Sequence, residues 1–80
     1  MRNITFRDRK YIAMLAMGLE SPEIANELGV VRCTADNAIA DILRRMDAQT
    51  RAEVVAKSFK EGYLAWNDGS LVINHDAEGL

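Results

Sequence analysis

The chain is poor in the residues that small domains use for covalent support or catalysis. Its 80 residues include one cysteine, one histidine, one proline and one tryptophan. A lone Cys33 excludes an internal disulfide framework and any multi-cysteine zinc site. A lone His75 leaves metal sites and Ser–His or Cys–His nucleophilic pairs without a second member. Beside Asp76 and Glu78, His75 reads as a solvent-facing residue and not as a ligand. No apolar run approaches the ~20 residues of a membrane span. The polar, basic N-terminus lacks the apolar stretch that follows in a signal peptide. Asp41, Asp47 and Glu53 show no pairing of the kind acid–base chemistry needs. The expectation is a soluble cytoplasmic protein with no membrane partner, metal, cofactor or enzymatic activity.

A strong charge of one sign is also missing: ten Lys and Arg stand against twelve Asp and Glu, a net −2. Bulk charge therefore argues against indiscriminate nucleic-acid binding. Position changes the picture. The first 66 residues hold all ten bases and nine of the acids, whereas the last fourteen hold Asp68, Asp76 and Glu78 and no base. The bases cluster as Arg2, Arg7, Arg9 and Lys10, and again as Arg44, Arg45 and Arg51. A weakly basic body with an acidic tail is compatible with DNA. With 49% hydrophobic and 28% charged residues the composition is globular. A single domain this short buries only about 60–65% of its unfolded surface, which argues against a deep catalytic cleft.

Four helices are expected. Thr5 and Asp8 make a start signal, and Tyr11, Ile12, Leu15, Ala16 and Leu19 form one apolar stripe that stops near Gly18. Ser21-Pro22-Glu23 gives an N-cap, a first-turn proline and an early acid. Ile24, Ala25 and Leu28 face inward before Gly29. A third helix runs from about Arg32 to Met46, with Ala35, Ala38, Ile39, Ile42, Leu43 and Met46 on its apolar side. Thr50 and Glu53 read as a capping box for a fourth, with Val54, Val55, Phe59 and Tyr63 along one face. Beyond Gly62, Leu64-Ala65-Trp66 and Leu71-Val72-Ile73 flank Asp68-Gly69, either as a small hairpin or as an ordered tail. Residues 1–62 thus form an all-α domain and residues 63–80 an extension. The methionines read as gap filling or termini, and Cys33 as a small half-buried residue, not a redox thiol.

A two-turn helix, a Gly-bearing turn and a longer helix make the layout of a helix-turn-helix. Ala25 allows the helices to cross closely, Gly29 supplies the positive φ of the turn, and Ile24, Leu28, Val30, Ala35 and Ile39 fill the wedge. An ordinary αα-hairpin in a small bundle shows the same residue types.

Several motifs carry a family likeness. Ile4-Thr5-x-Arg7-Asp8, Gly18-Leu19-x-x-x-Glu23-Ile24-Ala25-x-x-Leu28-Gly29-Val30, Thr34-x-x-x-x-Ile39-x-x-Ile42-Leu43-x-Arg45-Met46 and Thr50-Arg51-Ala52-Glu53-x-Val55 together resemble the LuxR/GerE-type DNA-binding domain. The block also resembles region 4 of sigma factors, but the Thr-Arg-Ala-Glu start of the fourth helix favours LuxR/GerE. The resemblance implies four helices, the third entering the major groove of double-stranded DNA and the fourth pairing two subunits. The chain departs from the pattern at Asp36, where the family usually has Lys, at Ala38 and Ala40, at Val31 in place of a Ser cap, and at Lys10 in place of Glu. An exchange of partners between Lys10 and Asp36 would reconcile two of these departures.

Direct readout needs donors that reach base edges. Arg32 and Asn37 qualify, and Asp36 can accept from cytosine. Thr34, Arg44 and Arg45 suit the DNA backbone. The resulting expectation is a stand-alone transcriptional regulator, dimeric through Val55, Phe59, Tyr63 and Trp66, with its activity set by abundance or a partner. The rival is an adaptor of the same fold that binds another transcription regulator, anchored by those four residues and Leu64.

Overall fold

The computed structural model describes residues 4–73. They form four helices, α1 (Phe6–Ala16), α2 (Ser21–Leu28), α3 (Arg32–Arg45) and α4 (Arg51–Lys60), followed by strands β1 (Leu64–Asn67) and β2 (Ser70–Ile73). The fold is mostly helical but not purely all-α. The open alternative after Gly62 resolves as an antiparallel hairpin, with Leu64 opposite Ile73 and Trp66 opposite Leu71. Its two-residue turn places Asp68 and Gly69 at φ +54° and +78°, the left-handed pair that matches strand twist. His75, Asp76, Glu78, Met1 and Arg2 lie outside the described residues.

Local chemistry sets the helix starts. The Thr5 hydroxyl accepts from the Asp8 N–H at 3.2 Å, and the Asp8 carboxylate accepts from the Thr5 N–H at 3.0 Å. At α4 the Thr50 hydroxyl accepts from the Glu53 N–H, but the returning carboxylate of Glu53 takes the Gln49 N–H instead, at 2.9 Å. That bond, with help from the nearby Lys57, lowers the Glu53 pKa against an opposing effect of burial. Ser21 is not the α2 cap. It is buried inside the helix, and its hydroxyl accepts from Arg51 at 2.9 Å. Glu20 holds the cap position, its N–H bonded to Glu23.

The helix ends share one geometry. Gly29 lies at φ +70°, its N–H bonded to Asn26 O and the Val30 N–H to Ala25 O, which satisfies two orphan carbonyls. The same pair of bonds closes α3, but there the left-handed residue is Asp47, at φ +55°. No glycine marks that end in the sequence.

Ile12, Ile24, Ala35, Ile42 and Val54 have no exposed surface, and Tyr11, Met46 and Leu64 almost none. Burying each of the Ile, Val, Leu and Met side chains stabilises the fold by about 1.5–3 kcal/mol. Ala25, 4% exposed, keeps α2 and α3 in close contact. Leu28 and Val30 are half-buried at the rim. The Arg9 guanidinium is buried 4.7 Å from the centroid of the Tyr63 ring, which joins α1 to the approach of the hairpin. Among the described residues no helix is long and apolar enough to cross a membrane.

Candidate nucleic-acid interface

α3 has a locked end and a presented end. At its C-terminus Arg45 Nη1 lies 2.8 Å from the Asp8 carboxylate of α1, and Arg45 Nε lies 2.8 Å from Asp41. Lys57 of α4 donates to the carbonyls of Met46 and Asp47 at 3.1 and 2.7 Å. A cation is thus placed against the negative end of the α3 dipole. Burial pushes the Asp8 pKa up, but the Arg45 and Thr5 hydrogen bonds outweigh it and hold the carboxyl below its ordinary 3.8. Asp8, with Asp41 behind it, holds Arg45 in its charged form still more firmly than usual, against the effect of burial.

The leading half of α3 is open. Arg32, Cys33, Thr34, Asp36 and Asn37 are exposed, while Ala35 and Ile39 turn inward. Val31 at the cap position is 68% exposed and makes no side-chain capping bond, as expected of a side chain that cannot accept one. Cys33 is exposed, not half-buried, because it lies on the same outer stripe as Asn37 one turn later. The amide of Asn37 stands 3.6 Å from its sulfur.

Every arginine of this helix has a carboxylate neighbour. Arg32 Nε is 3.6 Å from Asp36, Arg44 pairs with Asp41, and Arg45 bridges Asp41 and Asp8. The exchange between Lys10 and Asp36 is not present: Asp36 turns to Arg32, four residues earlier on its own helix, and Lys10 lies over the Phe6 ring at 5.7 Å. The Arg32–Asp36 pair is well exposed on both sides, so separating it costs less than about 1 kcal/mol. Arg45 is different. It is the strut between α3 and α1, and this role was not visible in the spacing.

The residues expected at a subunit interface separate into two groups. Val55 and Phe59 are half-buried on α4, and Tyr63 is half-buried beneath Arg9. Trp66 is 61% exposed on β1, its ring stacked on Phe59 at 6.2 Å with an interplanar angle of 11°. Leu64 is 2% exposed and is a core residue, not an anchor: at the first position of β1 it joins the buried cluster. Met17, read as filling or terminus, is 67% exposed just beyond α1, whereas Met46 is buried.

No family model matches the chain. Over 60 residues it is 30% identical to "Transcriptional regulatory protein DesR" of Bacillus subtilis (strain 168). The match takes in 75% of this chain, which spans 30% of the length of that curated relative. The chain is thus similar, over most of its length, to part of a transcriptional regulatory protein.

Proposed function

We propose that the chain is a LuxR/GerE-type DNA-binding transcription regulator. Its α3 enters the major groove, and two copies pair through α4 on a two-fold site. The observation that carries this reading is the asymmetry of α3: its C-terminal end is held by Asp8 and Lys57, and its leading half is exposed and polar. A reading helix needs its side chains outside and its backbone fixed. Likeness to a transcriptional regulatory protein supports the same reading. Arg32 and Asn37 would meet base edges, with Asp36 accepting from a cytosine amino group. Thr34 and Arg44 would meet phosphates, and Arg45 would join them from its strut. Such a regulator would work in the cytoplasm.

The carboxylates on α3 favour a second reading, an adaptor that binds another regulator through the Phe59–Trp66 stack. Fluorescence anisotropy with a labelled random duplex separates the two. A DNA binder shows micromolar or weaker retention at low salt and a linear fall of log K with log salt. An adaptor shows no retention even at the lowest salt.

A further inference from the structure

The positive charge left without a carboxylate is not on α3. Arg32, Arg44, Arg45, Arg51 and Lys57 all stand within ion-pair distance of Asp or Glu. Arg7 and Lys10 form no such pair among the described residues. They sit three positions apart on α1, hence on one face of the helix. Together with Phe6, Tyr11, Leu28 and Val30 they line a surface pocket of about 340 Å³. Val30 immediately precedes the α3 cap residue Val31. The pocket therefore borders the leading end of the helix proposed to enter the groove.

Its lining combines two cations with an apolar ledge of Phe6, Leu28 and Val30. A duplex backbone alternates a phosphate anion with a deoxyribose whose C–H groups are apolar. From this complementarity we infer that the pocket is a seat for the DNA backbone, in which Arg7 and Lys10 clamp a phosphate and the neighbouring sugar lies on Phe6 and Val30. The inference rests on the DNA-binding reading and gives it a phosphate anchor. The arginines of α3 share their charge with Asp36, Asp41 and Asp8. Arg7 and Lys10 have no carboxylate partner among the described residues. The clamp fixes the register of α3 without reading sequence.

The test is a salt titration of the full chain on a labelled random duplex, for the wild type, the double variant Arg7→Gln/Lys10→Gln, and Lys60→Gln as control. Lys60 also lacks a carboxylate partner among the described residues, but it ends α4 and does not line the pocket. All three proteins are first shown to have the same circular dichroism and urea midpoint. The double variant is expected to lower the slope of log K against log salt by about two, and affinity at 0.05 M salt by about tenfold or more. The control leaves both unchanged. Wild-type binding with an undiminished slope in the double variant overturns the clamp and leaves the DNA reading intact. An equal loss in the control reduces the clamp to general charge and overturns it too. No binding by the wild type at the lowest salt overturns both.

Discussion

Asp8 and Arg45 are thirty-seven residues apart in the chain and 2.8 Å apart in space. One carboxylate does two things there: it closes the first turn of α1 by accepting from the Thr5 N–H, and it holds the last turn of α3 through a guanidinium. Asp8→Ala removes both, and Arg45 keeps its bond to Asp41 on its own helix. The expected cost is about 2 kcal/mol, between the loss of a cap and the breaking of a fully buried pair. Urea unfolding at pH 7 measures it. A loss below about 0.5 kcal/mol would mean that Lys57 and the core contacts hold the end of α3 without this strut.

The same carboxyl sets a pH dependence. Its folded pKa lies below the ordinary 3.8, so the folded state favours the ionised form. The stability it contributes is fully present above about pH 4–5 and is lost as pH falls through the folded value. The wild-type advantage over Asp8→Asn should therefore be constant from pH 5 to 7 and shrink below pH 4. Parallel thermal melts at pH 3, 5 and 7 check it. A gap of equal size at pH 3 would assign the effect to packing and not to charge.

These two residues also mark the limit of what the sequence makes legible. Thr5–Asp8 and Thr50–Glu53 are visible because a capping bond spans three residues and needs no tertiary knowledge. Asp-Gly at 68–69 is visible as a turn, but a hairpin and an ordered tail stay equal until Leu64 and Leu71 find a surface to cover. Ser21 looks like a cap because its neighbours fit, and only the arrival of Arg51, thirty positions later, shows what its hydroxyl does. The outer stripe of α3 follows from helical period. The Arg32–Asp36 pair lies at a spacing where a partner is expected. The strut at Arg45, the Lys57 cap and the pocket beside Arg7 depend on which helices meet, and no local pattern encodes that.

Asp47 offers a gain in stability. It holds φ +55° at the end of α3, where a side chain costs about 1 kcal/mol relative to glycine. Lys57 bonds the backbone carbonyls of residues 46 and 47, which a glycine would keep. Asp47→Gly is thus expected to raise stability by about 0.5–1 kcal/mol after the entropic cost of glycine in the unfolded chain. Gly29→Ala, at φ +70° with open space around the added Cβ, should lose about 1 kcal/mol for the converse reason. Urea midpoints of the two variants should move in opposite directions, and a shared direction would refute the account.

Tyr11 carries a hydroxyl that is buried without a hydrogen-bond partner among the described residues. Desolvation of such a group costs about 1–3 kcal/mol. Tyr11→Phe keeps the ring and removes the penalty, so stability should stay level or rise by up to about 1 kcal/mol. A loss above 1 kcal/mol would reveal an acceptor for that hydroxyl.

Phe59 and Trp66 give the test of pairing between subunits. Trp66 keeps 61% of its surface exposed, and its ring contact is with a half-buried Phe59. Replacing it removes little from the core, so Trp66→Ala should cost less than about 1 kcal/mol in a monomer. An interface that uses this stack loses far more, because a central aromatic commonly contributes 2 kcal/mol or more to association. If α4 and the hairpin pair two copies, Trp66→Ala weakens the dimer at least thirtyfold with the secondary structure intact. Light scattering across a concentration series, with circular dichroism on the same samples, reads both quantities. Phe59→Asp goes further by placing a charge beneath the stack. A folded monomer would support the interface, whereas an unfolded chain would make Phe59 a core residue and leave Trp66→Ala as the deciding variant. An unchanged dimer in Trp66→Ala would move the contact elsewhere on α4, with Val55 the next position to alter.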